Sequence, residues 1–143
     1  MRTSACNQLT GRMIHIKHGT TNAEVELQLP GGECIVCMLS SDRVLTLRLR
    51  VGGAAFALVS AASVIVTRDR TDGFKLSARN QLAGSIKQVR TGVENTDVVI
   101  ALKGGDTLLA IVTNESAKEL ELAEGAAVSA IFKASSVILG VAV

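Results

Sequence analysis

Residues 4–67 of this chain recur without a gap at residues 77–140: offset by 73 positions, 21 of the 64 aligned pairs are identical. A repeat that takes up most of a 143-residue chain restricts the fold to one small unit built twice. The matches cluster. Ser4-Ala5-Cys6-Asn7-Gln8-Leu9-Thr10-Gly11 answers Ser77-Ala78-Arg79-Asn80-Gln81-Leu82-Ala83-Gly84, Gly31-Gly32 answers Gly104-Gly105, and Ser63-Val64-Ile65 answers Ser136-Val137-Ile138. The stretch Arg68-Asp69-Arg70-Thr71-Asp72-Gly73 between the copies is polar and ends in Gly, as a solvated connector does. We therefore expect a first domain at 1–67, a linker at 68–76 and a second domain at 77–143.

Within each copy the hydrophobic period is close to two. Glu24-Val25-Glu26-Leu27-Gln28-Leu29 alternates polar and apolar, the pattern of a strand with one buried face. The Gly-Gly pair that follows predicts a hairpin into Cys34–Leu39, and Gly104-Gly105 predicts the same in the second copy. Thr113 is placed to N-cap a short helix through Asn114-Glu115-Ser116-Ala117-Lys118-Glu119-Leu120, with Gly125 ending the connection. Two further strands, 53–60 with 64–67 and 126–133 with 137–141, are expected to close each unit. The fold class is thus mainly β: two tandem OB-like five-stranded β-barrels, each with one short helix.

Composition narrows the function. Hydrophobic residues make up 48% of the chain against 20% charged, enough for a packed core. Apolar runs such as 51–59 are too short to span a membrane, and the first ten residues lack the apolar stretch of a secretory leader, so no membrane contact and a cytoplasmic location are expected. Three cysteines is an odd number, consistent with a reducing compartment. A net charge of +2, no Trp or Tyr, and only Phe56, Phe74 and Phe132 provide neither a basic stripe nor stacking platforms, which argues against nucleic acid as a partner.

Nor do the residues point to an enzyme. Cys34-Ile35-Val36-Cys37 has C-x-x-C spacing, but residues three apart on a strand face opposite ways and the second copy has Thr107 and Ala110 there, so no metal cation site is expected. His15 and His18 likewise lack a partnered acid, and no nucleophile elbow occurs. What the second copy does hold is a group of hydrogen-bond donors: Ser77 and Arg79 at its start, Lys133-Ala134-Ser135 between its last two strands, and Thr113 with Ser116 at a helix start. A tetrahedral dianion with no proton to give requires donors only. Solvated charges and an ordinary helix cap would explain the same residues, so chemistry alone leaves anion binding as one option among several.

The motifs SARNQLAG (77–84) and KASSVILGV (133–141), with the Gly-Gly hairpin, resemble the molybdenum-pterin-binding (Mop, or TOBE) domain, and two such units resemble a di-Mop molbindin. That resemblance implies an OB-like barrel, binding of molybdate or tungstate as ligand, a homo-oligomer that is a trimer of two-domain chains, and a role in molybdenum storage and homeostasis. A molybdate-responsive regulatory module acting on a partner in trans is the alternative. It assigns the oxyanion to Ser77, Ala78, Arg79, Asn80, Lys133, Ala134 and Ser135, with Thr113 and Ser116 reaching in from a neighbouring domain. The first-copy equivalents are Ser4, Cys6, Asn7, Ser40, Arg43, Ser60 and Ala61. There Cys6 replaces the Arg, Ser60 the Lys, and Arg43 a hydroxyl, so that copy is expected to bind weakly. Thr21, Asn22 and Asn95, with the two Asn of the repeat motif, are expected at any site on a symmetry axis.

Overall fold

Alternation in the sequence becomes alternation in space. In the strand Asn22–Gln28, Ala23, Val25 and Leu27 are buried while the residues between them face outward. The computed structural model describes residues 3–68 and 73–143; the Cys6 side chain and residues 69–72 of the expected linker lie outside the described residues. The first copy supplies β1 (Cys6–Lys17), β2 (Asn22–Gln28), β3 (Cys34–Ser40), the helix α1 (Ser41–Thr46), β4 (Ala54–Ser60) and β5 (Ile65–Thr67). The second repeats the order with β6 (Asn80–Thr91), β7 (Asn95–Leu102), β8 (Thr107–Thr113), α2 (Asn114–Glu119), β9 (Ala127–Phe132) and β10 (Ile138–Gly140). The architecture is the mainly β pair of five-stranded curled sheets, each with a short helix, that the sequence leads one to expect.

Each sheet curls around its longest strand. β1 pairs with β2 along one edge and β4 along the other, with a break in register between Met13 and His15; β6 does the same with β7 and β9, with the break between Ile86 and Gln88, the equivalent place. Such bulges bend a strand and increase its twist, which lets five short strands wrap a core. Both helices are capped as their sequences suggest: Ser40 accepts from the Arg43 N–H at 3.2 Å and Thr113 from the Ser116 N–H at 3.1 Å.

The strand pairing differs from expectation at one point. The sheet orders are β10-β4-β1-β2-β3 and β5-β9-β6-β7-β8, so the last strand of each copy lies in the other copy's sheet. Neither copy closes on its own final strand. A 3-10 turn, Ala61–Ser63 or Ala134–Ser136, precedes the exchanged strand in each case and packs against β8 or β3 of the other copy. Side-chain volume favours the exchange. Gly140 lies opposite Phe56, and a Cβ on Gly140 would run into the phenyl ring, whereas the equivalent pair in the other sheet is Thr67 opposite Ser129. Unexchanged pairing would set Thr67 against Phe56 and Gly140 against Ser129, crowding one sheet and leaving a gap in the other.

The two glycine pairs have divided roles. Gly32 and Gly105 adopt φ of 96° and 99°, which the hairpin turns require. Gly31 and Gly104 instead touch each other where the hairpins of the two copies meet, and a Cβ on either would strike the other's Cα. Glu33 reinforces the junction by accepting from the Gly104 N–H at 3.0 Å.

Candidate functional site

β6 and β9 run antiparallel with Asn80 opposite Phe132 and Gln81 opposite Ile131. Arg79 immediately precedes Asn80 and Lys133 immediately follows Phe132, so the two cations adjoin the paired ends of β6 and β9. Both are exposed, with Ser77 and Ala78 before the arginine and Ala134 and Ser135 in the 3-10 turn after the lysine. That turn's own bonds run from Ser136 N–H to Lys133 C=O at 3.0 Å and from Val137 N–H to Ala134 C=O at 3.3 Å, so they do not engage the N–H groups of Ala134 and Ser135. Two cationic residues thus flank the paired strand ends, next to a turn with N–H groups outside its own bonds. In the first copy the same register pairs Cys6 with Ser60, ahead of the Ala61–Ser63 turn; both cationic positions are occupied by uncharged residues.

The asparagines of the repeat motif face inward and act across the copies. Asn80, 1% exposed, donates to the Val36 carbonyl at 2.9 Å and accepts from the Val36 N–H at 2.7 Å. Asn7 does the same with Leu109, at 2.8 and 2.7 Å. A carboxamide carries the same donor and acceptor as a peptide group, so each Asn extends the ladder at an edge strand, β3 or β8, of the other copy. Both side chains are therefore taken by main chain in this conformation, leaving only their backbone to face a ligand.

Arg79 has a carboxylate partner that sequence reading did not find. Its Nη1 donates to both oxygens of Glu24 at 3.0 Å, the Arg side chain being 52% exposed and the Glu 28%. Glu24 lies on β2 of the first copy, opposite Lys17 on β1, and His15, Val25, Glu26 and Val36 line the rest of a cavity of about 170 Å³ beside the pair. In sequence Glu24 is simply the polar half of an alternating strand, 55 residues from Arg79, and no local signal marks it.

The hydroxyl residues are divided between copies. Thr113 Oγ1 donates to Ser116 Oγ at 2.9 Å at the start of α2, and the turn that packs against β8, the strand leading into that helix, is Ala61–Ser63 of the first copy. Conversely Ser135 shares a cavity of about 430 Å³ with Arg43 of α1, walled by Leu39, Leu47 and Leu139, while Ser40 caps that helix. Within one chain Ser135 thus approaches the α1 side, and the Ala61–Ser63 turn packs on the strand that leads to Thr113. Ser4 is exposed at the chain's start; Thr21 and Asn22 are exposed at the β1–β2 turn and Asn95 at the corresponding turn of the second copy.

The C-x-x-C pair divides between faces as its spacing predicts. Cys37 is buried and donates to the Val137 carbonyl at 3.2 Å, and burial pushes its thiol from 9.0 up to about 11. Cys34 is partly exposed, its pKa raised by burial and then by Glu26. Among the described residues no group of three or more His, Cys, Asp or Glu is placed to hold a metal ion, and no helix is long and apolar enough to cross a membrane.

A profile of the TOBE domain matches residues 3–66 and again 76–139. The chain belongs to the TOBE-domain family. Its two TOBE units superpose on a solved chain described as the cytoplasmic molybdate-binding protein ModG, in a form with molybdate bound, with TM-score 0.95 and 40% identity over 99% of this chain and 100% of that one. Among curated relatives, the molybdenum transport protein ModE of Herbaspirillum seropedicae is 36% identical over 141 residues, and the molybdenum-pterin-binding protein MopA of Rhodobacter capsulatus 34% over 139. These alignments cover 99% and 97% of this chain but 52% of each relative, so the two TOBE units span about half the length of those proteins.

Proposed function

We propose that this chain binds molybdate or tungstate in the cytoplasm and serves in molybdenum storage and homeostasis. The observation that carries the reading is that Arg79 and Lys133 adjoin the paired ends of β6 and β9 at Asn80 and Phe132, with Ser77 just before the arginine and the Ala134–Ser136 turn just after the lysine. Such a set is dominated by positive charge and donors, which suits a fully deprotonated tetrahedral dianion. End-to-end likeness to a chain with molybdate bound supports it.

Thr113 and Ser116 complete the site from a second chain, because within one chain their helix follows the strand against which the first copy's uncharged turn packs. A homotrimer provides that neighbour, and the exposed Ile14, Leu45, Ile65 and Ile138 give it apolar surface to cover. The equivalent sites on Cys6 and Ser60 lack both cations and bind weakly. A second reading, a regulatory module acting on a partner in trans, draws on the similarity to proteins named as ModE regulators, of which this chain spans about half. Binding of a partner protein only in the presence of molybdate would favour it.

Competitive calorimetry with molybdate, tungstate, sulfate and phosphate tests the main proposal. Molybdate and tungstate should bind and phosphate should compete poorly, since phosphate near neutral pH is partly protonated and brings a donor O–H to a site dominated by donors. Preference for phosphate would contradict the proposal.

A further inference from the structure

Arg79 is not free to receive an anion: a carboxylate already holds it. Both oxygens of Glu24 sit 3.0 Å from the same nitrogen, Nη1, and the pair crosses from the first copy to the second. A guanidinium has five N–H donors, so Nε and Nη2 still carry three that Glu24 does not take. An incoming dianion at those positions meets the negative charge of Glu24 on the same group, and taking over Nη1 requires Glu24 to let go. Lys17, across the strand pair from Glu24, and His15 nearby are positioned to receive the released carboxylate.

We propose that Glu24 is an internal competitor for Arg79, a tethered carboxylate that occupies the oxyanion's cationic anchor and sets the affinity of the site. This rests on the assignment of Arg79 to oxyanion binding. The corresponding acid in the second copy, Asp97, has the same register partner in its own sheet, Arg90 as Lys17 is for Glu24, but the position equivalent to Arg79 is Cys6, so no arginine faces it from the other copy's motif. The competition therefore belongs to one site class, the one with the cations.

Full-length wild type, Glu24→Gln, Arg79→Ala and the double variant, each titrated calorimetrically with sodium molybdate, test it. Glu24→Gln should bind on the order of two- to fivefold more tightly than wild type, the range expected from removing a partly exposed ion pair. In the Arg79→Ala background the same substitution should change nothing. Unchanged or weaker binding in Glu24→Gln, with wild type still binding, would overturn the competitor role and leave the oxyanion site standing; a purely supporting Glu24 gives that result. Equal tightening with and without Arg79 would also overturn it, showing a general charge effect. No binding by wild type would remove the oxyanion assignment and this proposal together.

Discussion

At Asn80 one carboxamide closes the edge of a strand contributed by the other copy, with both its donor and its acceptor on Val36. Replacement by Leu, of similar size, leaves the buried Val36 N–H and C=O without those partners. Each lost bond contributes about 1 kcal/mol and each orphaned group costs about 1–3 kcal/mol, so Asn80→Leu should lose about 2–4 kcal/mol in urea unfolding, with Asn7→Leu close behind. The repeat does mark both residues, as identities at equivalent positions, but their partners lie 44 and 102 residues away. A motif read locally makes them ligands. Their burial and their pairing across copies are properties of the assembled pair of sheets, so the sequence pattern could not reveal them. Arg79 and Lys133 are the converse: both were legible as charged residues beside the repeat motifs, while their place at adjoining strand ends follows from the β6–β9 register.

Strands, hairpins and helix caps are well marked in this sequence because each depends on neighbours in the chain: alternation for β2, positive φ at Gly32, an N-cap hydroxyl at Thr113. Which sheet a final strand joins depends on side chains far apart, and here the marker is a pair of volumes. Phe56 with Gly140 and Ser129 with Thr67 are equivalent positions filled in opposite senses. Gly140→Thr should therefore destabilise by about 1–3 kcal/mol through overpacking against the Phe56 ring, as read from the shift in urea midpoint. Adding Phe56→Ser, which reproduces the Thr67–Ser129 pair, should recover much of the loss. Comparing the two copies position by position exposes this compensation, whereas the alternation of a single strand does not.

Across the whole molecule the exchange makes each copy incomplete alone. Residues 1–72 and 73–143, produced separately, each lack a strand that the other supplies; mixing them should restore cooperative unfolding and a sheet-type circular dichroism spectrum that neither half shows alone. Self-association of the first half would place Thr67 against Phe56, so the mixed pair should be preferred. The same exchange makes the molecule's two halves chemically unequal. Ser135 approaches the first copy's α1 side, where Arg43 lines the shared cavity, while Thr113 ends, and Ser116 follows, the strand that receives a turn without charge.

If the cations of the second copy create one tight class of oxyanion site, molybdate binding must depend on them and not on the first copy's uncharged residues. Calorimetric titration with molybdate of wild type, Lys133→Ala and Ser60→Ala measures this dependence. One strong class of binding should appear in wild type, persist in Ser60→Ala, and weaken roughly tenfold or more in Lys133→Ala, since a hydrogen bond to a charged group contributes about 1.5–3 kcal/mol. Two equally tight classes in wild type, or undiminished binding in Lys133→Ala, would contradict it.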